Sequence, residues 1–272
     1  MPELPEVETT RRGIAPHLQD RRVGQLQVHE PRLRWPVAPG IAAEVAGQTI
    51  RGVDRRAKYL LINLECGSLL VHLGMSGSLR VLPAGEPRRT HDHFDLLLAP
   101  AGLTLRYNDP RRFGSLHYLT GLVEEHPLLQ SLGPEPLGDD FDAAYLHRSS
   151  RGRRVAIKLL IMNSHIVVGV GNIYASEALF CAGIRPGRAA RSLSHAECRQ
   201  LVAAIREVLG NALRAGGTTL RDYVNVDGAP GYFRQQLYVY ERADEPCRRC
   251  ATPIRHRVQG ARATYYCPQC QQ

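Results

Sequence analysis

Along this chain the spacing of apolar positions changes character twice. Leu4, Val7, Ile14 and Leu18 recur at roughly helical intervals behind Pro2 and Pro5, which predicts an amphipathic helix over about 5–18. From Val23 to about Leu119 the chain reads instead as short apolar or alternating runs punctuated by Gly and Pro: QLQVHEPRLRW, TIRGVDRRAKYLLINLE, SLLVHLGMSGSLRVL, HFDLLLAP, LTLRYND and GSLHYL. That texture predicts an antiparallel sandwich or barrel. EEHPLLQSLGPEPLGDDF interrupts it with prolines and acidic clusters, as a linker would. Helical patterning follows in DAAYLHRSSRGRRVAIKLLIMN, NIYASEALFCAG and SHAECRQLVAAIREVLGNALRAG, where Ser194 and Glu197 have capping-box spacing. A polar, glycine-containing loop, GGTTLRDYVNVDGAPGYFRQQ, then leads to a cysteine-rich tail. The fold class is α+β, an N-terminal helix plus antiparallel β-sandwich ahead of a helical region, without internal repeats.

Composition narrows the partners. A chain of 272 residues, 43% of them hydrophobic, can fill two cores and is not disordered. Lys and Arg total 35 against 26 for Asp and Glu, a net +9 that favours a polyanion, most simply nucleic acid. No apolar run has membrane-spanning length, and Glu3, Glu6 and Glu8 stand where a signal peptide would be basic and then apolar. The expected compartment is therefore the cytoplasm, with no membrane partner. There the seven cysteines read as thiols or metal ligands rather than disulfides.

Cys247-Arg-Arg-Cys250 and Cys267-Pro-Gln-Cys270 flank a 16-residue spacer. Two such pairs can surround one tetrahedral Zn²⁺, and with four protein ligands the site is closed and structural. Ordinary thiols or a redox pair would be the alternative, but two matched pairs within 24 residues argue against coincidence. The basic, alternating spacer fits a β-hairpin carrying Arg262, suited to phosphates or to protein contacts. Cys66, Cys181 and Cys198 lie in apolar contexts and are expected to be buried. In IVVGVGNIY, Gly169 and Gly171 permit a tight turn ahead of a helix starting near Asn172, whose N–H groups could meet a phosphate; simple chain reversal explains the glycines equally well. Met75 and Phe113 sit in the glycine-flanked stretches HLGMSG and DPRRFG, either folded back on the core or wedged into a base stack, with Arg111 filling the vacated space. Lys58 interrupts a strand pattern, where most lysines simply face water. Pro2 poses the sharper question. Proline suits the first turn of a helix, and on these residues alone that reading is the simpler. Yet loss of Met1 would expose a secondary amine with a pKa of about 8, partly uncharged at neutral pH.

MPELPEVE, RRAKYLL, HLGMSG, DPRRFG, VGVGNIYASEALF, PGYF and the paired CxxC motifs, in order from residue 2 to residue 270, resemble the bacterial formamidopyrimidine-DNA glycosylase (Fpg/MutM) family. The resemblance implies a catalytic helix and sandwich at 1–133, a helix–two-turn–helix DNA-binding region with a lesion-capping loop at 134–240, and a zinc-finger hairpin at 241–272. It implies a monomeric, bifunctional DNA glycosylase and abasic-site lyase acting on oxidised purines in damaged double-stranded DNA, nucleoid-associated through that DNA, with one structural Zn²⁺. Pro2 would be the nucleophile and Glu3 the acid/base carboxylate, while Glu6 would hold the N-terminus. Lys58 and Arg262 would serve β- and δ-elimination and phosphate binding. His72, His91, Arg111, Arg153 and Asn172 match DNA-contact positions, and Met75, Arg111 and Phe113 the inserted triad. The Gly217–Gln236 loop would close over the extruded base. The chain departs from the family in carrying Asn163 where an acidic residue is common, which bears on local hydrogen bonding. The sister endonuclease VIII type, which prefers oxidised pyrimidines, is the nearest rival; Leu4, DPRRFG and the PGYF loop favour purines. A non-catalytic zinc protein that only recognises damage is the rival from another class.

Overall fold

The computed structural model describes residues 2–217 and 237–272. The chain divides into two compact units, one built from residues 1–130 with a segment beginning at 215, the other from 131–214 and the C-terminal segment. The loop expected to close over an extruded base lies, from residue 218 to 236, outside the described residues.

In the first unit helix α1 (Leu4–Leu18) precedes eight strands: β1 (Arg22–Val28), β2 (Ile50–Arg56), β3 (Tyr59–Leu64), β4 (Gly67–His72), β5 (Ser78–Pro83), β6 (Asp92–Ala99), β7 (Leu103–Asn108) and β8 (Ser115–Leu119). They form two antiparallel four-stranded sheets, ordered β1-β6-β7-β5 and β2-β3-β4-β8. The expected sandwich is present. Its core interleaves Leu60, Ile62, Leu69 and Val71 of one sheet with Phe94, Leu96, Leu105 and Tyr107 of the other. Val7, Ile14 and Leu18 join that cluster, so the helical spacing of the first residues reports a buried stripe. A short helix, α2 (Ile41–Val45), was not legible in the sequence pattern.

Three local expectations need correction. Lys58 is not within a strand but in the two-residue turn between β2 and β3, where Ala57 takes a left-handed φ of 55° without the glycine that would have signalled it. Cys66 is exposed, not buried. It occupies the β3–β4 turn, whose backbone is held by the Gln48 side chain and the Tyr118 hydroxyl. The helical stretch from Ala143 is also broken into α3 (Ala143–Ser150) and α4 (Ile157–Ile161). Gly152 turns the chain there with φ 70°, and Arg151 is drawn off to the Leu193 carbonyl at 2.6 Å.

The second unit continues with α5 (Asn172–Cys181), α6 (His195–Arg214) and the hairpin β9 (Arg255–Gln259) and β10 (Arg262–Tyr266). The predicted capping box closes α6: Glu197 accepts from the Ser194 N–H at 2.8 Å, and the Ser194 hydroxyl accepts from the Glu197 N–H at 3.2 Å. No described helix is long and apolar enough to cross a membrane.

Candidate active site and zinc hairpin

Pro2 is buried directly ahead of α1. Glu3 is the N-cap and Glu6 the third helical residue, and the two close a reciprocal capping box: Glu6 Oε2 accepts from the Glu3 N–H at 2.8 Å, and the Glu3 side chain accepts from the Glu6 backbone. Both carboxylates are buried. The helix runs antiparallel to β2. Gln19 donates to the Arg51 carbonyl at 2.8 Å, Arg11 to the Val53 carbonyl at 3.1 Å, and Glu8 pairs with Arg55 at 3.3 Å. Residues 2–6 therefore lie at the end of β2 that carries the Lys58 turn. Gly217 (φ 84°) belongs to this unit, and a Cβ there would sit 3.2 Å from Glu6 Oε1. The last described residue before the loop thus rests against the N-terminal helix.

His72 ends β4 opposite Tyr59, the neighbour of Lys58, with ring centroids 4.8 Å apart. Its Nδ1 accepts from the Gly74 N–H at 3.0 Å, leaving the proton on Nε2. Burial, and then the charges of Lys58 and Arg34, outweigh the opposing pull of Asp109 and lower its pKa to about 4. At neutral pH His72 is an uncharged donor.

Met75 is half-buried in the loop following β4, while Arg111 and Phe113 are exposed beyond β7. The Arg111 guanidinium lies 5.0 Å from the Phe113 ring centroid. Phe113 is 43% exposed, so the reading that folds it back on the core does not hold. His91, also exposed, has a left-handed φ of 71° and lines an open pocket of about 640 Å³ together with Arg88, Arg89, Arg112, Glu30 and Asp92. The buried Asp92 beside it anchors that segment, accepting from the Arg89 N–H at 2.7 Å and from Asn108 at 2.8 Å.

In the second unit the IVVGVGN stretch makes the expected turn, with Gly169 at φ 78° and Gly171 capping α5. Asn172 opens α5, and its Oδ1 is buried with no hydrogen-bond partner among the described residues. Arg153 is exposed in the turn between α3 and α4. Asn163 Oδ1 accepts from the His165 N–H at 3.0 Å, a bond for which a neutral amide oxygen suffices. Arg262 is exposed and follows directly on the Gly260–Ala261 turn, both of whose residues have positive φ. Sequence reasoning missed two anchors of this hairpin. Lys158, fully buried in α4, donates to the Ala263 carbonyl at 2.8 Å and to the Thr264 hydroxyl at 2.9 Å. Glu177, a carboxylate in the otherwise apolar face of α5, accepts from the backbone N–H groups of Tyr238, Val239 and Tyr240 at 2.7, 2.9 and 2.9 Å. A charged residue inside an apolar run was the available signal for each.

The four cysteines of the two CxxC pairs meet with all Sγ atoms within 4.8 Å of one another. Sulfur–sulfur edges of 3.4, 3.5 and 3.9 Å match the roughly 3.8 Å edge of a tetrahedron with Zn–S bonds near 2.3 Å. Cys247 and Cys267 also form a buried cluster with Phe180, Val239 and Ile254, so folding of the hairpin and assembly of the ligand set coincide.

Family models match three segments of the chain. Residues 1–116 match the formamidopyrimidine-DNA glycosylase N-terminal domain, 132–224 its H2TH domain, and 244–272 the zinc finger found in FPG and IleRS. The chain belongs to the formamidopyrimidine-DNA glycosylase family. It is 62% identical over 271 residues to the formamidopyrimidine-DNA glycosylase of Thioalkalivibrio sulfidiphilus and 56% identical to that of Methylococcus capsulatus, each comparison covering 100% of both chains. Among solved structures it resembles MutM (Fpg) from Thermus thermophilus, with TM-score 0.90, 40% identity and coverage of 99% and 98% of the two chains. It also resembles a Lactococcus lactis FPG mutant in complex with Fapy-dG containing DNA, with TM-score 0.92, 32% identity and 100% of each chain covered. As a formamidopyrimidine-DNA glycosylase it is a base excision repair enzyme, and its hairpin holds one structural zinc ion.

Two outcomes follow from the site. Cys247→Ser or Cys270→Ser should release the zinc, measured by elemental analysis, and sharply weaken DNA affinity, because the metal folds the hairpin that presents Arg262. The NMR signals of the sandwich, which has its own core, should persist. His72 should titrate near pH 4 rather than 6.5. Between those values the unfolded chain takes up a proton that the native state refuses, so stability falls as pH drops from 6.5 towards 4. Urea unfolding of His72→Asn should show a flatter pH dependence in that window.

Proposed function

We propose that this enzyme, as a monomer, excises oxidised purines such as 8-oxoguanine and formamidopyrimidines from duplex DNA and then cuts the strand as an abasic-site lyase. The observation that carries this reading is the buried Pro2, placed by the Glu3–Glu6 box at the β2 end that bears Lys58. Resemblance to Lactococcus lactis Fpg in complex with DNA containing Fapy-dG or an abasic site supports the lesion class.

With Met1 removed, the Pro2 nitrogen attacks the anomeric carbon of a flipped-out nucleotide, and the glycosidic bond breaks as the damaged base departs. Glu3 protonates the sugar ring oxygen, the ring opens, and a cationic iminium remains between Pro2 and the sugar. That cation acidifies the neighbouring sugar proton. Its loss expels the 3′ phosphate in β-elimination, and a second elimination expels the 5′ phosphate. Glu6 fixes the N-terminus, Lys58 assists the β step, and Arg262, always charged, grips phosphate beside the lesion for the δ step. His72 donates to a phosphate from its neutral Nε2–H, and His91, Arg111, Arg153 and Asn172 make further DNA contacts. Met75, Arg111 and Phe113 fill the space the base leaves. Residues 1–133 carry the chemistry, 134–240 the helix–two-turn–helix and capping loop, and 241–272 the zinc finger. The enzyme works in the cytoplasm, associated with the nucleoid through DNA.

Acetylating the N-terminus, retaining Met1 or fusing a tag there should abolish base excision and borohydride trapping while leaving DNA binding largely intact. Full turnover by a verified N-terminally blocked preparation would remove Pro2 from the mechanism, and failure of the free enzyme to trap would favour a damage-binding protein. Competition between duplexes carrying 8-oxoguanine and thymine glycol should favour the purine lesion; the reverse order would place the enzyme with the pyrimidine-specific sister type. Phe113→Ala should slow excision from duplex lesions more than it weakens binding to a duplex that already contains an abasic site, because unstacking costs a few kcal/mol. Equal losses would make Phe113 a packing residue.

A further inference from the structure

The fully buried carboxylate of Asp109 has no part in the chemistry above, yet it gathers donors from every loop of the wedge region. Oδ1 accepts from the Ser76 hydroxyl at 2.7 Å and the Arg111 N–H at 3.2 Å, and Oδ2 from the Gly114 N–H at 2.9 Å and the Tyr107 hydroxyl at 3.1 Å. The backbone of the same residue donates to the His91 carbonyl at 3.0 Å, and its own carbonyl meets His93 Nε2 at 2.7 Å. One residue therefore ties together the loop of Met75, the loop of Arg111 and Phe113, and the left-handed His91.

The two loops pack backbone on backbone. A Cβ at Gly74 would lie 2.5 Å from both the Gly114 nitrogen and the Phe113 carbonyl carbon, and one at Gly77 would lie 2.6 Å from the Tyr107 hydroxyl. A Cβ at Gly114 would strike the same hydroxyl. Burial, and then the neighbouring Asp109, push the Tyr107 phenol well above its ordinary pKa, so it stays protonated and donates. A carboxylate accepting four donors is a stiff junction, since hydrogen bonds to a charged acceptor are stronger than neutral ones.

We propose that Asp109 is a positioning residue that locks the 73–77 and 109–114 loops into one rigid wedge, so that Met75, Arg111 and Phe113 enter the base stack together. The inference rests on the wedge reading of those three residues. If the junction yields, the force of insertion is spent on moving loops apart, and extrusion slows while chemistry at an already vacated site does not. Asp109→Asn keeps the shape but turns one acceptor oxygen into a donor facing two donors.

The test compares single-turnover excision from a duplex lesion with cleavage of a duplex that already holds an abasic site, alongside the fluorescence rise of a 2-aminopurine stacked beside the lesion. Asp109→Asn should slow lesion excision roughly tenfold more than abasic cleavage and delay the fluorescence rise to match. Ser76→Ala, which removes a single donor, should shift the same ratio by about threefold. Equal slowing of both substrates by both variants, or no slowing, would overturn the proposal. Phe113→Ala run in parallel separates the two claims. If it discriminates between the substrates and Asp109→Asn does not, the clamp alone fails; if neither discriminates, the wedge reading beneath it fails.

Discussion

Residues at the start of a chain are ordinarily mobile, and the proposed chemistry asks that Pro2 be exactingly placed. The capping box between Glu3 and Glu6 resolves that conflict. It uses the N–H groups that a helix start leaves unpaired, so the bonds that begin α1 also fix the residue in front of it. Burial of Leu4, Val7, Ile14 and Leu18 then fastens the helix to the sandwich. Its antiparallel run along β2 brings Pro2 to the lysine turn. Everything proposed for the chemistry depends on that docking.

Charge is organised by the same economy of fixed donors and acceptors. Arg106 forks onto Asp95 with bonds of 2.7 and 2.8 Å and reaches the Pro87 carbonyl at 2.9 Å. Asp92 and Asn108 hold the next residues of that segment, leaving His91 presented outward. A buried carboxylate is costly unless fully bonded. Asp92, Asp95, Asp109 and Glu177 each meet the condition by collecting backbone N–H groups, arginines or hydroxyls from segments distant in sequence. Rigidity in the loops proposed to contact DNA thus comes from acids beneath them, while His91 and Arg111 remain exposed above. The neutral state of His72 belongs to this pattern, because burial disfavours its charged form and Lys58 and Arg34 already supply positive charge nearby.

The hairpin follows a different rule. A short two-stranded ribbon cannot stabilise itself, so the fold supplies four sulfurs from below and two buried charged side chains from the helices. Lys158 and Glu177 bond the strand and the approach to the first cysteine pair, and Arg262 follows directly on the Gly260–Ala261 turn, both of whose residues have positive φ.

Periodicity determined the N-terminal helix and the sandwich, and short motif spacing the α6 capping box and the metal ligands, because each is written in local runs or short motifs. The family motifs supplied the proposed site residues in the same local way. The sequence pattern placed Lys58 in a strand and Cys66 in the core because an alanine adopting left-handed geometry and a thiol in a turn leave no compositional mark. Asp109, Lys158 and Glu177 were passed over for a related reason. Lys158 bonds Thr264 across 106 positions and Glu177 bonds Val239 across 62, while Asp109 joins Ser76 across 33. Which buried charges are satisfied, and which loops are thereby held, is decided by partners that only the folded chain brings within about 3 Å, the distance at which a hydrogen bond can offset the cost of desolvation.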